Sequence, residues 1–133
     1  MAGYLESGHA AERLAERLLA KRGLTPVASN YRCRYGEIDL IMTEAETLVV
    51  VEVRYRRHTT YVNPAASVNL RKCLRIARAT EHFLQRNRRW RDAAVRFDVV
   101  GLHGRLADPE MNWIRGAFTI DTLSDDLDGR NDN

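Results

Sequence analysis

Two short blocks decide the fold: GEIDLIM at residues 36–42 and LVVVEVRYR at residues 48–56. Alternation in the first puts Glu37, Asp39 and Ile41 on one face and Ile38, Leu40 and Met42 on the other; alternation in the second aligns Val50, Glu52 and Arg54. The polar stretch Thr43 to Thr47 is short enough for a hairpin turn, so the blocks are expected as antiparallel neighbours. Leu48 to Val51 is apolar at successive positions, the pattern of a strand buried on both faces. Acids inside such strands are expensive to bury without a cation or hydrogen-bond donors. Asp39 and Glu52 fall on neighbouring strands roughly 4.8 Å apart, where a hard divalent ion such as Mg²⁺ could take oxygen ligands from both, with a backbone carbonyl and waters completing the shell.

Outward from these blocks the chain reads as helix, three strands, helix, two strands. Residues 8–22 place Ala11, Leu14, Ala15 and Leu18 at helical spacing, with Gly23 as a stop. Glu12 lies off that stripe and either points over the sheet edge as a third ligand or is simply solvated, like Glu16. A first strand spans Val27 to Arg34, and Tyr35-Gly36 turns it into the second. After a loop at residues 57–65, Leu70, Cys73, Leu74, Ala77 and Leu84 hold helical spacing to about Asn87, while Arg71, Arg75, Arg78 and His82 form a separate basic stripe. Strands follow at Val95 to Leu102 and Met111 to Ile120.

Composition narrows the function classes. The 133 residues are 44% hydrophobic and 29% charged, which fits one globular domain over residues 1–120 and excludes collagen-like, low-complexity or wholly disordered chains. The longest apolar run, Leu48 to Val51, is far below the roughly 20 residues of a membrane span, and no signal-peptide pattern opens the chain. Cys33 and Cys73 make neither a disulfide framework nor a zinc spacing, so both are expected to be reduced and the protein cytoplasmic. The net charge of +3 hides an asymmetry: residues 52–91 carry eleven Lys/Arg against two acids, while residues 121–133 hold five Asp and one Arg and read as a frayed acidic tail. Nineteen of the 21 basic residues are arginine, whose planar fork matches phosphate oxygens in pairs, so a polyanion is the expected partner.

NYRCRYGEIDLI at residues 30–41 and LVVVEVRYR at 48–56 resemble the two signature blocks of the YraN-like family of small uncharacterised bacterial proteins. Flanking matches are AERLAERLL in the first helix, Lys72 in the second, RFDVVGL at residues 96–102 and NWIRGAF at 112–118. The resemblance covers nearly the whole chain apart from its tail. That family is regarded as a member of the PD-(D/E)XK nuclease-like superfamily, similar to archaeal Holliday junction resolvases. This implies an α/β, restriction-endonuclease-like αβββαβ core with a mixed central sheet flanked by helices, and an order that agrees with the one read from periodicity.

Carried over by position, the resemblance implies that Asp39 and Glu52 bind metal and that Glu12 matches the acidic residue of the first helix. Arg54 falls where the superfamily has its catalytic lysine. Arginine stays protonated and is a poor general base, although it can still stabilise charge. The expectation is therefore a Mg²⁺- or Mn²⁺-dependent endonuclease acting on DNA, branched or structured forms included. Asp39, Glu52, Glu12 and Arg54 would be its catalytic set and Arg56, Arg57, Lys72, Arg71, Arg75 and Arg78 its nucleic-acid contacts. Similarity to junction resolvases implies a homodimer. Two alternatives stand beside it: a nucleic-acid-binding protein that keeps the fold without efficient catalysis, and an interaction protein whose acids merely pair with Arg54 and Arg56.

Other residues have two readings each. Glu37 either supports a ligand or is a solvated acid near a turn, and Asp98 is expected to pair with Arg96 or Arg115. His58 contacts phosphate, carries a proton or does nothing specific. Tyr31, Tyr35, Tyr55 and Tyr61 either stack on bases or pack against strands.

Overall fold

The computed structural model describes residues 3–57 and 63–119, with side chains from residue 8 onward. His58, Tyr61 and the acidic tail at 121–133 lie outside the described residues. The order is a helix α1 (Gly3–Lys21), strands β1 (Thr25–Cys33), β2 (Gly36–Glu44) and β3 (Thr47–Arg56), a short 3₁₀ turn at Pro64–Ser67, helix α2 (Leu70–Arg86), and strands β4 (Val95–His103) and β5 (Glu110–Phe118). This is a mixed α/β fold consistent with the restriction-endonuclease-like core.

The five strands lie in sequence order, with β3 parallel to β4 and the other neighbours antiparallel. β3 is central, and Leu48 to Val51 are at most 1% exposed because α1 covers one face of the sheet and α2 the other. Burying each such side chain is worth roughly 1.5–3 kcal/mol, which makes this run the anchor of the core.

α1 meets the sheet through Ala11, Ala15 and Leu19, with Leu14 and Leu18 on the flanks. The two alanines at i and i+4 let the helix lie close to the strands. It begins at Gly3, earlier than the expected residue 8, and ends in a Schellman motif. Gly23, at φ +101°, allows Leu24 N–H to donate to Leu19 C=O and Gly23 N–H to Ala20 C=O.

α2 is capped by Asn69, whose side chain accepts from the Lys72 backbone N–H at 2.9 Å. Its buried face is Cys73, Ile76, Ala79, Thr80 and Phe83, rotated from the stripe expected through Leu70, Leu74 and Leu84. The larger Ile76 and Phe83 take the interior, Phe83 meeting the Tyr31 edge at 5.2 Å between ring centroids. Thr80 tolerates burial because its hydroxyl donates to Ile76 C=O at 2.8 Å.

Two local expectations need correction. The β1–β2 turn is Arg34-Tyr35, since Cys33 already pairs with Gly36. Ile38 also leaves the face expected of it: it packs with Ile41 beneath α2, while Leu40 and Met42 pack beneath α1. Residues three apart sharing a face marks a break in alternation, and the break sits where β2 loses β3, whose last paired positions are Leu40 and Val51.

Candidate metal and phosphate cleft

Where β2 and β3 part, the side chain of Asp39 takes over from the backbone. Its Oδ2 accepts from Val53 N–H at 2.8 Å, so the carboxylate occupies the place of a missing ladder acceptor. Glu52 lies one residue earlier on β3 and is only 4% exposed. Lys72 Nζ, reaching over from the first turn of α2, is 3.0 Å from Glu52 Oε1, and Arg54 Nη2 is 3.7 Å from the same oxygen.

Both carboxylates line a cleft of about 610 Å³ together with Glu12, Glu37, Arg54, Arg56, Arg57 and Lys72. Burial, then the charge of Asp39, pushes the Glu52 carboxyl up to about 7, with Lys72 and Arg54 acting the other way. Glu12 is also pushed up to about 7, by burial first, then by the charges of Asp39 and Glu37 and by a hydrogen bond to Asp39. The cleft therefore holds two carboxyls whose ionisation is opposed first by burial and then by the neighbouring Asp39 charge, although the four acids of its lining are matched by five Lys/Arg. Among the described residues no three His, Cys, Asp or Glu side chains converge as a ready-made metal cage. Glu12 stands beside the Asp39–Glu52 pair in the same cleft and hydrogen-bonds to Asp39.

Arg54 is held at one end only. Nη2 donates to Ser67 C=O at 3.3 Å, while its buried Nε has no partner. Ser67 can reach it because the Pro64–Ser67 turn settles onto β4 at Gly101, the residue paired with Arg54. A Cβ at Gly101 would lie 2.7 Å from Pro64 Cβ, so only glycine permits the approach.

Asn30 is the site residue that sequence reading missed. It stands opposite Asp39 at a step of the β1–β2 ladder where neither residue is paired, with φ +52°. With its amide nitrogen turned toward the acids, Asn30 Nδ2 donates to Glu12 Oε2 at 2.7 Å and Glu37 Oε1 at 2.9 Å. The only hint in the sequence was an asparagine, the residue most tolerant of left-handed backbone after glycine, inside a strand-like run.

The remaining candidates separate. Arg56 and Arg57 are exposed at the cleft mouth, and Arg71, Arg75 and Arg78 line the exposed face of α2 beside it. Glu37 pairs with Arg32 at 3.6 Å. Asp98 lies away from the cleft and takes Arg96 in a two-pronged pair, along with Trp113 Nε1–H and Gly116 N–H. Arg115 goes to Glu44 instead. Tyr55 donates to Gly104 C=O and packs against the core under α1, and both cysteines are free thiols. No described helix is long and apolar enough to cross a membrane.

Comparison with known proteins places this geometry in a family. Residues 11–102 match the model of the uncharacterised protein family UPF0102. A UPF0102 protein of Methylobacillus flagellatus is 48% identical over 112 residues, covering 84% of this chain and 96% of that one. One of Saccharophagus degradans is 44% identical over 90% of this chain and 98% of its own. One of Aeromonas hydrophila is 49% identical over 80% of each. With the matched region running from α1 to β4 and holding every carboxylate, arginine and lysine of the cleft, this chain belongs to the UPF0102 family.

Proposed function

We propose that this protein is a metal-assisted nucleic-acid phosphodiesterase of the PD-(D/E)XK type, an endonuclease acting on DNA with Mg²⁺ or Mn²⁺ held by Asp39 and Glu52. The observation that carries the reading is the meeting of these two carboxylates in one cleft whose rim is Arg54, Arg56, Arg57 and Lys72. The donor set suits a hard cation: carboxylate oxygens from two neighbouring strands, a third acid, Glu12, beside them, and room for waters.

When bound, such an ion lowers the pKa of a water and offsets phosphate charge. The protein's own groups do the rest. Asp39 is fixed by Val53 N–H, and Glu12, itself held by Asn30, hydrogen-bonds to it. Arg54 lines the cleft with its side chain a quarter exposed and supplies a guanidinium to a phosphate oxygen. Lys72 supplies from α2 an ammonium in contact with Glu52, compensating for arginine at strand position 54 and stabilising charge that develops on the phosphate.

The test is incubation of the purified protein with duplex, single-stranded and four-way DNA in Mg²⁺ or Mn²⁺. Cleavage that disappears in Asp39→Asn and Glu52→Gln supports the reading; no cleavage, or cleavage unchanged in both variants, overturns it. Arg54 favours a second reading, a binding protein without efficient catalysis. DNA binding that persists in EDTA and never yields product with either metal is its signature.

A further inference from the structure

Resting on the nucleic-acid reading, we infer that the exposed arginine face of α2, together with the Arg34-Tyr35 turn, is a phosphate-gripping rail for a double-stranded arm that is held without regard to sequence. Arg71, Arg75 and Arg78 stand at i, i+4 and i+7 on the exposed side of the helix, and Arg86 continues the line in the last turn. The only acid on α2, Glu81, lies off that line. The β1–β2 turn abuts its middle, since a Cβ at Gly36 would lie 3.8 Å from that of Arg75. This brings Arg34, also exposed, to the same surface.

Two observations favour a charged grip over recognition of bases. The strand arginines Arg32, Arg96 and Arg115 are occupied by Glu37, Glu44 and Asp98, whereas among the described residues Arg71, Arg75 and Arg78 make no ion pair. The neighbouring rings are already engaged within the protein. Tyr31 meets Phe83 and hydrogen-bonds to His82, while Tyr35 packs edge-on against His82 with Arg34 over its ring. Sequence-tolerant binding of single strands relies on free aromatic platforms, and among the described residues this surface offers none beside its arginines. A straight helix presenting fixed guanidinium groups suits a stiff duplex.

The rail also has a direction. Lys72, in the first turn, reaches the cleft, and Arg71 to Arg86 then span about 22 Å at 1.5 Å per residue. At 3.4 Å per step this matches about six base pairs of one strand leading away from the carboxylates.

Fluorescence anisotropy in EDTA tests this without any dependence on cleavage. The probes are a labelled 20-base-pair duplex, a scrambled duplex, an oligothymidylate of the same length and phosphatidylserine vesicles. The triple variant Arg71→Gln, Arg75→Gln, Arg78→Gln is expected to weaken duplex binding at least tenfold and to flatten the log K against log salt slope by about 2.7, at 0.9 per phosphate contact. Arg17→Gln on α1, beneath the opposite sheet face, is expected to change affinity less than twofold. Both duplexes should bind alike and more tightly than the single strand. An unchanged slope in the triple variant, a preference for one duplex sequence, single-strand binding as tight as duplex, or tighter binding to vesicles overturns the rail. Loss of the rail with cleavage still dependent on Asp39 leaves the catalytic reading standing; a working rail with no cleavage does the reverse.

Discussion

Lys72 Nζ lies 3.0 Å from Glu52 Oε1, nearer than Arg54 Nη2 at 3.7 Å, so the closest cation to the buried carboxylate comes from α2 and not from its own strand. Arg54 Nη2 donates to Ser67 C=O, and its Nε is buried without a partner. The two cations divide the work: one offsets Glu52, the other faces the cleft.

That division has a kinetic consequence. Lys72→Met is expected to lower the cleavage rate by about 10²-fold or more, the usual cost of removing one group that stabilises transition-state charge, while duplex affinity falls less than threefold. Arg54→Lys, which keeps the charge, is expected to cost less than Lys72→Met. Single-turnover rates with separate binding curves check both. The opposite order would assign the lysine's role to position 54.

The acids of the cleft set a pH dependence. Glu12 and Glu52 ionise in the unfolded chain near 4.5 but near 7 when folded, burial being the main cause and the charge of Asp39 the next. The folded state therefore binds protons more tightly between those values, and their contribution to stability is full below 4.5 and lost as pH rises to about 7. Thermal melts in chelator are expected to show Tm falling by several degrees from pH 5 to 8, less so in Glu12→Gln. Mn²⁺ should restore more at pH 8 than at pH 5. Glu44, held low by Arg115 and then Arg96, acts in the other direction but only as pH falls through the ordinary carboxylate range. A flat or rising Tm across pH 5 to 8 would contradict the burial of the Glu12 and Glu52 carboxyls as the source of their raised values.

Asp98 is the buried acid that serves the fold. Its two oxygens take Arg96, Trp113 and Gly116, tying edge strand β5 to β4 where their register shifts between Phe97 and Val99. Asp98→Ala leaves the Trp113 Nε1–H and Gly116 N–H without their acceptor and Arg96 with Glu44 alone, and is expected to cost about 1–3 kcal/mol. Urea titration measures the loss, and the specific activity of the fraction still folded should stay within about twofold of the parent.

Gly101 connects the fold to the cleft. In Gly101→Ala the new methyl meets Pro64, so the Pro64–Ser67 turn must lift and Ser67 C=O loses its hold on Arg54. The expected result is a loss of about 1–3 kcal/mol from overpacking, together with weaker DNA binding at the cleft. Gly101→Ala with parental stability would show that the turn moves freely.

The strands and their acids were legible because alternation and burial are local properties of GEIDL and VVVEV. Gly23 and the pairing of Asp98 with Arg96 could be read for the same reason, each depending on residues close in sequence. What was not legible depends on longer range. The break at Asp39 appears only when β3 departs, so Ile38 could not be assigned to α2 from its spacing. Asn30 gained its role from facing Asp39 across a gap in the ladder. Lys72 reached Glu52 through the crossover that lays α2 on the sheet, and spacing gives no measure of that distance. Composition put eleven cations in residues 52–91, but only the folded chain separates Arg54 and Lys72, drawn to Glu52, from Arg71, Arg75 and Arg78, which make no ion pair among the described residues.

The most direct measurement is the anomalous difference map of crystals soaked in Mn²⁺. The account expects one peak between Asp39 and Glu52, within about 2.0–2.3 Å of a carboxylate oxygen from each, and no such peak in Asp39→Asn. A fully soaked crystal with no peak there, or with manganese bound only elsewhere, would contradict it.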